Sequence, residues 1–209
     1  MFLYGNPWLS LFELIKLVHR LLWVIGIAHC DVSFHNIMIK PGTMVGVLND
    51  FDLASIMERG ATSPPRIGFR RTGTPLFMSV ELLSDEALGA GVPRLYRHDL
   101  ESFAWVLLYA SRCVRDGKET LDVEPFRHWV SVNPPQLRKD KKEFLSMSPG
   151  LLKNSPIKEI LIPTLDIWFK VAIIRAHNED MPGPAEDPGL LGDVLRAWKV
   201  GKEEWEDFI

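Results

Sequence analysis

Residues 8–25 carry the pattern that most limits how this chain can fold. Leu11, Leu14, Ile15, Val18, Leu22 and Ile25 recur at helical spacing, while Ser10, Glu13, Lys16 and Arg20 leave only a thin polar stripe. A helix with so narrow a polar face is expected to be covered on most sides and to end at Gly26. Two short apolar runs follow, 36–40 and 44–48, separated by Pro41-Gly42-Thr43, a turn sequence that predicts a hairpin. Residues 58–75 hold Pro64, Pro65 and four arginines without apolar periodicity, so a long loop is expected there.

A second apolar helix is predicted at about 98–112, with Leu100, Phe103, Ala104, Leu107 and Leu108 on one face. Beyond it lie Pro134-Pro135 and a basic run, 138–142, expected to be exposed. A helix near 157–176, a Pro-Gly loop at 182–189 and a helix at 190–200 complete the chain, with an acidic tail after them. The fold class this implies is mainly α with a small β-hairpin.

Composition narrows the function classes. The 209 residues are 46% hydrophobic and 24% charged, as in soluble globular proteins, which excludes collagen-like and wholly disordered chains. A net charge of -3 supplies no basic field for nucleic acid or anionic lipid, so neither is an expected partner. Cys30 and Cys113 are too few for a disulfide framework and favour a reducing, intracellular setting. The apolar run 21–28 is far short of the roughly 20 residues that cross a bilayer. Residues 1–17 lack the basic leader and small-residue cleavage site of a signal peptide.

The chemistry concentrates in His29-Cys30-Asp31-Val32-Ser33-Phe34-His35-Asn36 and in Asn49-Asp50-Phe51-Asp52. A hairpin brings its ends together, so Asn36 before the first strand and Asp50 after the second are expected to be neighbours. An amide oxygen beside a carboxylate suits a hard cation such as Mg²⁺. Asp31 on the adjoining loop is then placed to accept a proton from an attacking hydroxyl. His35 and His98 lack metal-type spacing and read as surface or capping histidines. Cys30 reads as a small buried thiol, and Arg66, Arg70 and Arg71 as a solvated charge run.

At these residues the chain resembles the protein kinases, whose catalytic loop reads H-R-D-x-x-x-x-N and whose metal motif reads D-F-G. Asp31 and Asn36 have that five-residue offset, and Asp50 follows Asp31 by nineteen positions. Downstream, 72–81 (TGTPLFMSVE) resembles the end of an activation segment, and 96–102 (YRHDLES) the start of the central buried helix. The wording most resembles the fungal-type protein kinase family. The resemblance implies a single kinase-like C-terminal lobe over 1–209. Its parts would be a catalytic loop at 29–36, a metal motif at 50–52, an activation segment at 50–81 and a central helix at about 98–112. It implies Mg²⁺ and ATP as cofactors and a protein substrate or partner.

Carried over by position, the resemblance implies Asp31 as catalytic aspartate, Asn36 and Asp50 as metal ligands, and Thr74 as a hydrogen-bond partner of Asp31. Asp99 would brace the backbone of the catalytic loop, His29 and Phe51 would pack together, and Glu81 would meet an arginine such as Arg175. Three positions depart from the pattern. Cys30 stands where the family carries arginine and offers no fixed charge to a phosphate. Ser33 replaces a lysine near the transferred phosphate, leaving only a hydroxyl donor. Asp52 replaces the glycine of D-F-G, adding a carboxylate that could serve as a further metal ligand. No Gly-rich loop or V-A-I-K lysine precedes the first helix in this sequence. The expected activity is therefore weak transfer of the ATP γ-phosphoryl to Ser or Thr hydroxyls, with a non-catalytic interaction module as the alternative. A further alternative is a small-molecule phosphotransferase of the choline or aminoglycoside type, a class that shares the first motif and a D-x-D-like second motif but lacks the G-T-P…E segment.

Overall fold

An 18-residue helix, α2 (Tyr96–Cys113), forms the axis of the molecule; only Arg97, Ser111 and Arg112 along it are not buried. Its apolar positions surround the helix on every side, so it can be stable only at the centre of other elements. The computed structural model describes residues 18–40, 46–58, 61, 63–65, 73–84, 92–115, 117–153, 155, 157–171 and 188–197. In chain order the elements are α1 (Arg20–Val24), β1 (Ile27–Ala28), β2 (Ile37–Ile39), β3 (Gly46–Leu48), β4 (Ser55–Ile56) and α2. They continue with β5 (Val114–Arg115), β6 (Lys118–Glu119), α3 (Phe126–Trp129), α4 (Pro134–Leu151), α5 (Lys158–Phe169) and α6 (Pro188–Ala197). α5 and α6 pack against α2, and α4 against α5.

The hairpin expected from 36–48 is present as β2 and β3, antiparallel with Ile37 opposite Leu48. Its turn lies outside the described residues. Two further antiparallel pairs were not legible in the sequence, β1 with β4 and β5 with β6. Their strands are two residues long, too short for any periodicity. Gly26 closes α1 at φ +92°, and a Cβ there would sit 3.1 Å from the Met57 carbonyl oxygen. That close approach is the β1–β4 junction, where Met57 N donates to Gly26 O at 2.7 Å.

Several expectations are corrected. The described part of the first helix is covered on one side only. His19 and Trp23 are buried, whereas Val18, Leu21, Val24 and Ile25 are exposed, Ile25 by 69%. The covered face is fixed by aromatic contacts, His19 stacking on Tyr96 and meeting Phe103 edge-on. The part before residue 18, the tip of the Pro-Gly loop and the acidic tail lie outside the described residues. Pro134-Pro135 opens α4, a helix not expected from the sequence, since proline is tolerated in a helix's first turn. Lys141, expected in an exposed basic run, is fully buried. Trp23, Trp105, Trp129 and Trp168 are core residues.

An aromatic chain ties the first loops to this core. Phe34 meets Tyr109 at 5.1 Å, Tyr109 meets Phe126 at 4.9 Å, and Phe126 meets Trp129 at 5.3 Å. No described helix is long and apolar enough to cross a membrane. Phe103 is fully buried on α2, so Phe103→Ala is expected to cost about 3–5 kcal/mol in urea unfolding.

Candidate functional site

The loop 29–36 leaves β1 through Cys30, which has φ +68° although it carries a side chain. Asp50, at the exit of β3, also adopts a left-handed conformation, φ +60°. They are the only non-glycine residues with positive φ among the described residues. Backbone conformations of this kind cost of order 1 kcal/mol or more and concentrate at functional sites. Cys30 is buried, and desolvation pushes its thiol up to about 11, so it is an inert packing group.

Asp31 is the hub. Its Oδ1 accepts from Thr74 N at 2.7 Å and from Thr74 Oγ1 at 2.9 Å. Its Oδ2 accepts from Asn36 Nδ2 at 3.0 Å, and the same nitrogen donates to the Asp31 carbonyl at 2.9 Å. Three donors from two segments therefore set the orientation of one carboxylate. Gly73 makes the approach possible: its φ is +119°, and a Cβ would lie 3.0 Å from Cys30 O and 3.6 Å from Asp31 Oδ1.

His29 is buried behind this loop. Its Nδ1 accepts from Asp31 N at 3.3 Å, and its Nε2 lies 2.9 Å from Asn49 O. A backbone N–H facing Nδ1 requires the neutral ring with its hydrogen on Nε2. Phe51 packs edge-on against it at 4.8 Å. Asn49 N donates to Asn36 O at 2.8 Å, which places Asp50 one residue beyond the partner of Asn36. Asp50 and Asp52 are exposed, and Asp50 Oδ1 accepts from Asp52 N at 3.4 Å. Ser33 is 2% exposed, so its hydroxyl is not presented to the surface where Asp50 stands.

Among the described residues no three His, Cys, Asp or Glu side chains gather as a metal cluster. A cage built by the protein alone is thus not what this loop offers. Both hydrogens of Asn36 Nδ2 are used on Asp31, which leaves its Oδ1 as the free donor atom beside a strand exit that carries Asp50. Two hard oxygens fit Mg²⁺, which keeps water or phosphate oxygens in its remaining positions.

The outer supports differ from expectation. Asp99 does not hydrogen-bond the loop backbone. Its Oδ1 takes Arg94 Nη2 at 2.7 Å, and its Oδ2 takes His19 Nε2 at 3.1 Å. Burial alone would raise this carboxyl, but the Arg94 charge and the His19 bond hold it well below the usual range. Glu81 is paired with Arg97 at 2.8 Å and His98 at 2.9 Å. Burial opposes its ionisation, yet His98 and Arg97 together bring it to about 2. Arg175, Thr72 and the arginines 66, 70 and 71 lie outside the described residues. His98 Nδ1 accepts from Leu95 N at 3.1 Å, a capping role at the start of α2. His35 is exposed and pairs with Glu119. The one signal for His19 was a histidine on an apolar helix face, and for Arg94 its place five residues before Asp99.

Gly73→Ala is expected to lose about 1–3 kcal/mol in thermal unfolding, from strain and the close carbonyl. Burial lowers the pKa of both His29 and His98. The unfolded chain then binds protons that the folded chain does not, so stability is full above about 6.5 and falls as pH drops below it. Melting temperatures measured between pH 8 and pH 5 should decline accordingly, and less steeply in His29→Gln.

A comparison with curated proteins found no match. The family model described as fungal protein kinase matches residues 9–111. That span contains Asp31, Asn36, Asp50, Thr74, Glu81, Asp99 and the greater part of α2. Over residues 9–111, just under half of its length, the chain is similar to the fungal protein kinase family.

Proposed function

We propose that the chain is the helical C-terminal lobe of a protein kinase-like domain that moves the ATP γ-phosphoryl to Ser or Thr hydroxyls of a protein. The observation carrying this reading is the Asp31 carboxylate, held by Thr74 N, Thr74 Oγ1 and Asn36 Nδ2. In that orientation one lone pair of Oδ2 stays available to take the proton of an incoming hydroxyl, so Asp31 both aligns the nucleophile and accepts its proton. Asn36 Oδ1 and the Asp50 carboxylate would hold Mg²⁺. The metal, bound with ATP, would supply charge neutralisation at the phosphates. The strained Asp50 backbone fixes the direction of its carboxylate, and His29 with Phe51 supports that turn from behind.

A second reading, a non-catalytic interaction module, is favoured by Cys30 and Ser33. Both are buried, and neither offers a charge to a transferred phosphate.

Incubated with MgATP and a mixed set of Ser/Thr peptides, the chain is expected to transfer phosphate slowly. Asp31→Ala should lower that rate by at least about 10²-fold. Unchanged transfer by Asp31→Ala would overturn the assignment. Titration calorimetry separates the readings: Mg²⁺-dependent ATP binding weakened at least tenfold by Asn36→Ala supports the kinase. No heat from a folded chain supports the interaction module.

A further inference from the structure

Lys141 on α4 is fully buried, and the Glu101 carboxylate of α2 is near enough to favour its charge. Its Nζ donates to Met78 O at 2.6 Å and lies 4.5 Å from the Trp105 ring centroid and 5.9 Å from that of Trp129. An ammonium placed so deeply is costly, and an apolar side chain would fill the same space more cheaply. From the other side, Glu101 on α2 accepts from Val80 N at 2.8 Å and from Trp105 Nε1 at 3.0 Å. One residue, Ser79, is thus flanked by a cation on the carbonyl before it and a carboxylate on the amide after it.

The bonds continue inward. Met78 N donates to Thr74 O at 3.1 Å, and Phe77 N to the same oxygen at 2.9 Å. Thr74 N and Oγ1 then donate to Asp31 Oδ1. Lys141 thus holds the carbonyl of the residue whose amide is bonded to Thr74, and Thr74 in turn donates to Asp31, so the link runs through the backbone of residues 78 and 74.

We propose that Lys141 and Glu101 are positioning residues of the candidate site, clamping segment 78–80 from two helices so that Thr74 is held on Asp31. Burial drives the Lys141 ammonium down and the Glu101 carboxyl up, and their mutual attraction opposes both shifts. The bearing of this clamp on catalysis rests on the phosphotransferase reading above; the geometric claim does not.

The test is site-resolved amide hydrogen exchange on the full chain, comparing wild type, Lys141→Met and Glu101→Gln/Lys141→Met. The double variant guards against misfolding, because it removes both buried charges while Gln can still accept from Val80 N and Trp105 Nε1. Amides of Thr74 and Met78 are expected to exchange at least tenfold faster in either folded variant, with α2 amides near Phe103 unchanged. In a phosphotransfer assay kcat should fall with KM for ATP unaltered. Wild-type protection at Thr74 in the folded double variant overturns the clamp. Loss of protection in a chain that transfers no phosphate upholds the clamp and sinks the kinase reading alone.

Discussion

A buried carboxylate must find donors in the interior, and α2 carries two of them within three residues. Asp99 and Glu101 are 0% and 3% exposed. Each draws a different part of the chain onto the helix. Asp99 takes Arg94 and, across the interface, His19 of the first helix. Glu101 takes the amide of Val80. His98 adds Glu81 by the same logic. The loops before α2 are therefore docked by polar demands of the helix as much as by its apolar faces. Apolar contact alone would permit many orientations, whereas a satisfied carboxylate permits few.

The candidate site is assembled from loops that have little regular structure of their own. Its rigidity comes from what they are attached to. Phe34 rests on Tyr109 of α2, His29 is bonded to Asn49 across the hairpin exit, and Thr74 reaches Asp31 from a segment held by α2 and α4. Two side-chain-bearing residues in left-handed conformations, Cys30 and Asp50, mark where this scaffold imposes a geometry on the backbone. Preorganised carboxylate and amide groups of this kind suit phosphoryl transfer, which asks a protein mainly for positioning.

Much of the site was legible in the sequence because its parts are close along the chain. The offset between Asp31 and Asn36 spans one loop, and Asp50 follows one hairpin. Thr74 belonged to a recognisable run, and its bond to Asp31 is present. The supports were less legible. Asp99 had several possible partners, and spacing could not rank Arg94 and His19 above the loop backbone. Glu81 met Arg97 and His98, seventeen residues away or fewer, rather than an arginine late in the chain.

Local pattern by itself determined α2, α5, α6, the β2–β3 hairpin and the order of the functional residues, because periodicity and turn chemistry act over a few neighbouring residues. It did not determine α3 or α4. Periodicity says which side chains share a face. It does not say whether another element covers that face. Only the tertiary structure decided that Leu21, Val24 and Ile25 stay exposed while His19 is buried. The same holds for Lys141, which sits in a basic helical run that reads as solvent-facing and yet lies under Trp105 with its charge on the Met78 carbonyl. Its burial depends largely on Trp105 and Met78, more than thirty positions away, and no local signal carries that information.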